Sequence, residues 1–282
     1  MSGDDFLPPP PLSPPPLPLL PPSGVANGPP PPPPPPPAGL MAPGGQDTYD
    51  IAPTQRSGLR SVLGTARWAM ILTAVAGVAS LASAVLSANL AAKAQDYLDG
   101  RISEDAFLDA NEIAPLVQLL SAGPLVAAGV FGVIWMYRIA TNVRTLGRAT
   151  TFAPIFAIFG WMLPPFLFIL PLLILRELWK ASYLDNPPSS NGWRASGENR
   201  LLYLWFVVYG VIPATLTAVS LESVFNAALN LDTDTRSIAE VTASMGGAEL
   251  IIGGVFSVVS AVVWILLVKQ FTARHVALTG ER

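Results

Sequence analysis

Five apolar stretches without a single Asp, Glu, Lys or Arg constrain this chain more than any other feature. They cover about residues 68–90, 113–137, 149–175, 201–221 and 250–268. Each is long enough for a helix to cross a hydrocarbon core, which takes ~20 residues at a rise of ~1.5 Å per residue. Only 12% of the 282 residues are charged, about half the share usual in a soluble domain. The apolar residues are gathered in blocks, so the chain reads as an all-α membrane protein that crosses the bilayer several times.

The third block differs from the others. It carries Pro154, Pro164, Pro165 and Pro171, with Gly160 among them. Adjacent prolines remove two helical donors and clash with the preceding turn. The arms at 152–163 and 166–175 each reach only about half-way through a ~30 Å core. Broken backbone of this kind is tolerated at membrane depth where neighbouring helices bury it. The expected architecture is four transmembrane helices plus a proline-broken re-entrant segment at 149–175, the alternative being a fifth, kinked span.

Charge placement decides between the two, because basic residues gather on the cytoplasmic side. With a cytoplasmic amino terminus and a re-entrant third block, 13 basic residues lie inside and 3 (Lys93, Arg101, Arg236) outside. With a full span the split becomes 7 inside and 9 outside, which violates the rule. The re-entrant reading places both termini in the cytoplasm and the protein in the cell (inner or plasma) membrane. Trp68, Trp135, Trp205 and Trp264 then all fall toward the cytoplasmic interface, where indole is favoured. The two outer loops each carry a net charge of −4. They read as solvated acidic faces: the run Asp232 to Arg236 puts a cation where calcium spacing needs a ligand.

Residues 1–53 hold 21 of the 30 prolines, nine of them consecutive at 29–37. Such a segment has few backbone donors and locked φ, so it favours extended polyproline II. The expected organisation is a disordered proline-rich cytoplasmic tail (1–58), a polytopic membrane domain (59–275) and a short cytoplasmic tail (276–282). The long tail serves either as a spacer or as a ligand for aromatic-grooved protein domains. Its first residues include Asp4 and Asp5 and no apolar run follows, unlike a cleavable signal.

Several function classes fall away. With no cysteine there is no thiolate chemistry, and with one histidine (His275) a His-rich metal site or Ser-His-Asp triad is not expected. No cofactor or metal is expected. A net charge of −3 argues against a nucleic-acid partner. No ionisable group lies within a block, which argues against a proton-coupled carrier. Small residues recur four apart at Ala76, Ser80 and Ala84 and at Gly253, Ser257 and Ala261. They suit close helix packing within the chain, or contact between copies in a homo-oligomer.

The residues most able to form a site flank the broken block. Trp135, Arg138, Asn142 and Arg144 precede it; Trp161, Pro164 and Pro171 lie in it; Arg176, Glu177, Trp179 and Lys180 follow. If both ends of the block are cytoplasmic, Arg138, Arg144, Arg176 and Lys180 share one membrane face. Arg176 and Lys180 are four apart on one side of a helix, and Glu177 is three before Lys180 and in reach to pair with it. These charges are topology signals with snorkelling stems, or a pocket for anionic lipid headgroups.

The same residues carry a family resemblance. Ala66-Arg67-Trp68, then Trp135-x-Tyr137-Arg138-x3-Asn142-x-Arg144-x2-Gly147, then Gly160-Trp161-x2-Pro164-x6-Pro171-x4-Arg176-Glu177-Leu178-Trp179-Lys180-Ala181-Ser182 resemble an actinobacterial membrane family called domain of unknown function 4328. The resemblance covers about residues 60–275 and is most specific from Trp161 to Ser182. It implies membrane location and fold, and no chemistry. The sequence departs from the family pattern at Leu167, Leu172 and Leu173, where relatives often carry polar residues. The functional expectation is a non-catalytic scaffold or partner-binding module, not an enzyme. Its expected partners are the lipid bilayer and a protein engaged through the tail. The alternative is a channel, lipid-binding or small-solute transport protein built around the re-entrant segment.

Overall fold

A computed structural model describes residues 57–148, 150–161, 169–184, 191–211 and 234–281, all within the unit Asp47–Arg282. Every regular element among them is helical: α1 (Leu63–Leu98), α2 (Glu104–Asn111), α3 (Ala114–Thr145), α4 (Phe156–Phe159), α5 (Ile169–Ala181), a 3-10 turn (Gly192–Ala195), α6 (Arg200–Trp205) with a π turn (Phe206–Val211), α7 (Thr235–Ser244) and α8 (Gly247–Thr279). The proline-rich tail at 1–53 lies outside the described residues, as do Pro164 and Pro165.

Three helical runs are long and apolar enough to cross a membrane: α1, the run Glu104–Thr145 that holds α2 and α3, and α8. Their outward surfaces are apolar, with Val78 68%, Leu119 69% and Val126 66% exposed. Apolar surface on this scale calls for a bilayer or a partner rather than water. The helices are longer than their apolar blocks (68–90, 113–137 and 250–268). The backbone ladder does not stop where hydropathy does, because Lys93, Gln95 and Arg144 are good helix formers.

Among the described residues three candidate spans are thus found where four plus a re-entrant segment were expected. The expected span at 201–221 is described only as far as Val211. There it is α6 followed by a π turn, a form in which the hydrogen bonds skip one residue further along. The block at 149–175 is described as two short pieces, α4 and the start of α5.

α1 forms the centre because its inner stripe is small. Ala66, Ala69, Thr73, Ala76 and Gly77, then Ala91 and Ala94, are buried at helical spacing. α8 comes so close that a Cβ on Gly77 would lie 2.9 Å from the Ala261 Cβ, and one on Gly254 2.6 Å from the Ala84 Cβ. The small-residue stripes therefore pack within the chain, although Gly254 closes the seam and Gly253 faces outward.

α3 and α8 both run antiparallel to α1. At one end the start of α1 meets the last turns of α3 and α8, held by long-range hydrogen bonds. At the other, Ala94 of α1 packs with Phe107 of α2 and Ala239 of α7. We call these the tied end and the far end. Asn199 Nδ2 donates to Gln270 Oε1 (3.1 Å) near the tied end, and Thr235 Oγ1 donates to Glu104 Oε1 (2.5 Å) at the far end.

Candidate functional site

Most of the expected site residues meet at the tied end, but mainly as ties between elements. Asn142 is almost fully buried on α3. Its Oδ1 accepts from the Arg60 amide (2.7 Å), and its Nδ2 donates to the Arg60 carbonyl (2.8 Å) and to His275 Nε2 (3.1 Å). The two backbone bonds fix the amide's orientation, so His275 accepts at Nε2 and carries its proton at Nδ1. That nitrogen lies 3.4 Å from Ser182 Oγ, just past α5. Four distant segments thus converge on one buried amide–imidazole pair.

Glu281 seals the neighbouring corner. Gly280, left-handed at φ 69°, ends α8 and turns the chain back. The Glu281 carboxylate accepts from the amides of Val62 (3.0 Å) and Leu63 (3.2 Å) and from Ser61 Oγ. The residue at the N-cap of α1, Val62, offers no side-chain acceptor, so Glu281 satisfies those amides from 219 positions away. Burial pushes its carboxyl up, but the hydrogen bonds from Ser61, Val62 and Leu63 prevail and hold it below the usual glutamate range.

The broken block leaves and returns at this same end. Its entry is held by Arg144, which donates to Thr150 Oγ1 and to the Thr150 carbonyl (both 3.2 Å). Glu177 on α5 accepts from the amides of Thr151 (2.5 Å) and Phe152 (3.2 Å). Arg148, 1% exposed, donates to the carbonyls of Ala181 and Tyr183, where a cation also complements the end of α5. Gly160, after α4, would bring a Cβ to 3.2 Å from Ile174 Cδ1, so the two arms pack on each other. Pro171 is buried within α5, while Pro164 lies outside the described residues.

The basic residues do not converge on one pocket. Arg138 donates to the Ser61 carbonyl (2.7 Å). Arg176 and Lys180 both reach Glu198, the latter at 3.1 Å, and Tyr203 donates its hydroxyl to the same carboxylate. Arg176 chiefly, then Tyr203 and Lys180, hold the Glu198 carboxyl down at about 2. The expected Glu177–Lys180 pairing is replaced: Glu177 takes backbone amides and Lys180 takes Glu198.

Of the tryptophans expected at one interface, Trp135 and Trp205 are core residues and Trp264 packs against that core. Trp135 and Trp205 are buried, and each lies near Trp264, at 6.0 and 5.4 Å between ring centroids. Trp135 Nε1 donates to Thr272 Oγ1 (3.0 Å). Trp161 meets the Trp205, Tyr209 and Trp264 rings edge-on. Trp179 packs on Phe271 and lies under the Arg274 guanidinium, 4.2 Å from its centroid. Trp68 alone of the four expected anchors is widely exposed, at 53%.

Sequence reasoning missed His275, Ser182, Arg148, Glu198 and Glu281. The sequence reads His275 as part of the tail, outside the membrane, whereas it is completely buried on α8. The one available signal was the run of buried-type positions on α8, Leu267, Val268, Phe271, Thr272, His275 and Leu278 at helical spacing. Among the described residues no three metal-ligating groups cluster.

Comparison with curated proteins and with solved structures gives no match. The family model described as Domain of unknown function (DUF4328) matches residues 98–273, which takes in α2 through most of α8 and leaves out the ties at residues 60–63, His275 and Glu281, and the chain belongs to that family.

Proposed function

We propose that this chain is a non-catalytic, multipass protein of the cell membrane that holds partners in place, with its proline-rich tail as the reaching arm. The observation that carries the reading is the tied end. Its polar groups, from Asn142–His275 to Arg176–Glu198, are spent on joining segments of the chain to one another. Such a network favours a rigid platform over a reactive site.

In this reading the membrane is crossed four times and the block at 149–175 dips in and returns. Support comes from the joined ends of that block at Thr151 and Glu177. It comes also from Asn199 lying beside Gln270 while Thr235 lies beside Glu104 at the opposite end. The tied end faces the cytoplasm on the strength of the basic-residue split.

The chain has no cysteine, so single-cysteine variants test the topology without background. Asn191→Cys and Ala277→Cys should resist a membrane-impermeant maleimide in intact cells, and Arg101→Cys should react. Labelling of Ala277→Cys would refute the sidedness. For the holding role, deletion of residues 1–53 should abolish capture of a defined partner while the membrane domain stays inserted. Equal capture with and without the tail would remove the arm from the proposal.

A further inference from the structure

The far end holds a groove in which an apolar wall meets side chains of both charges. A cavity of about 310 Å³ lies between the upper part of α1 and the corner joining α2 to α3. Its lower wall is apolar, made by Leu86, Leu90, Ile113 and Val117. Leu86 and Ile113 are about half exposed, so the wall opens sideways, where a bilayer would lie. Its upper wall carries Asn89, Lys93 and Asp109. Among the described residues neither Lys93 nor Asp109 has a hydrogen bond or ion pair, and they do not pair with each other.

Depth matches a lipid headgroup. From Trp68, the exposed indole near the tied end, to Ser87 is about 28 Å along α1 at ~1.5 Å per residue, close to one hydrocarbon thickness. The leucines of the cavity therefore end where acyl chains end, and Lys93 rises into the headgroup layer. We propose that this groove seats one phospholipid whose headgroup is zwitterionic and bears a primary ammonium. Its phosphate meets Lys93, its ammonium meets Asp109, and Asn89 donates to the ester region. The acyl chains lie on Leu86, Leu90, Ile113 and Val117. An anionic lipid would satisfy Lys93 and leave Asp109 facing like charge, in a loop whose net charge is already −4. A quaternary headgroup would carry the charge without the hydrogen bonds Asp109 accepts.

The proposal rests on the reading that α1, α3 and α8 cross a bilayer, and one experiment separates the two. The full chain is reconstituted into vesicles of equal parts phosphatidylethanolamine, phosphatidylglycerol and phosphatidylcholine. Insertion is read by resistance to carbonate, and retained lipid by native mass spectrometry after mild detergent transfer. The expected result is an inserted chain that keeps one phosphatidylethanolamine. Lys93→Ala should retain at least about fivefold less of it, the loss of one rim ion pair. Asp109→Lys should turn the preference toward phosphatidylglycerol. An inserted chain with no preference, or with one that both variants share, overturns the groove and leaves the membrane reading standing. A chain released by carbonate overturns both.

Discussion

The two ends of the helix bundle treat charge in opposite ways. At the tied end, carboxylates and guanidinium groups are drawn inward onto backbone: Glu281 on Val62 and Leu63, Glu177 on Thr151 and Phe152, Arg148 on Ala181 and Tyr183. At the far end, Thr235 to Glu104 is the long-range bond described, and the charged pairs and caps are local. Ser103 and Asp234 cap their own helices, and Arg101 pairs with Asp96 and Asp99 a few residues back. Long-range ties join segments that sequence separates, so they set topology, whereas local caps only finish a helix. The difference teaches that stability and tolerance to change should be unequal along the membrane normal.

The largest effect should come from Asn142→Leu. It leaves the His275 ring without its donor in a buried site, at a cost of about 2–3 kcal/mol. The measurement is unfolding in detergent followed by tryptophan emission, since Trp135 and Trp264 lie within the same core. A loss no larger than that of a far-end cap would erase the contrast. Next comes Gly254→Val, which forces a side chain against Ala84 and should cost about 1–3 kcal/mol in the same assay.

Glu281→Ala uncovers the first amides of α1 and should cost about 1 kcal/mol. Acid should do part of the same. The carboxyls of Glu281 and Glu198 lie below their ordinary 4.5 in the folded chain, Glu198 at about 2. A lowered carboxyl contributes stability above its unfolded value, and that contribution fades as pH falls through the folded one. Thermal stability should therefore drop on acidification below 4.5, and Glu198→Gln should flatten that drop. The smallest effect should be Ser103→Ala at the far end, about 0.5 kcal/mol for an exposed cap. A larger loss there than for Glu281→Ala would invert the comparison.

Much of the scaffold was legible because it depends on local signals. Apolar blocks mark α1, α3 and α8, and prolines mark the block whose ends meet at Thr151 and Glu177. Asn142, Trp135 and Arg176 stood out by type and position, and all three take part in ties. The partners stayed hidden for physical reasons. Glu281 caps a helix whose N-cap residue lies 219 positions earlier, and no local pattern announces such a pairing. Glu198 sits in a polar loop where one more carboxylate looks like solvent-facing charge. His275 follows an apolar block on the same helix, and only its neighbours at three and four residues show that it faces inward. The exchange of Glu177 from Lys180 to backbone amides had the same origin, since a helix offers a carboxylate both choices and only the folded loop decides.

The cap supplied by Glu281 has a bearing on biogenesis. Chains are made from the amino end, so the first long helix exists well before residue 281 does. Its opening turn stays unfinished until translation has moved 219 residues past Val62. A chain without Glu281 keeps the amides of Val62 and Leu63 without this side-chain acceptor.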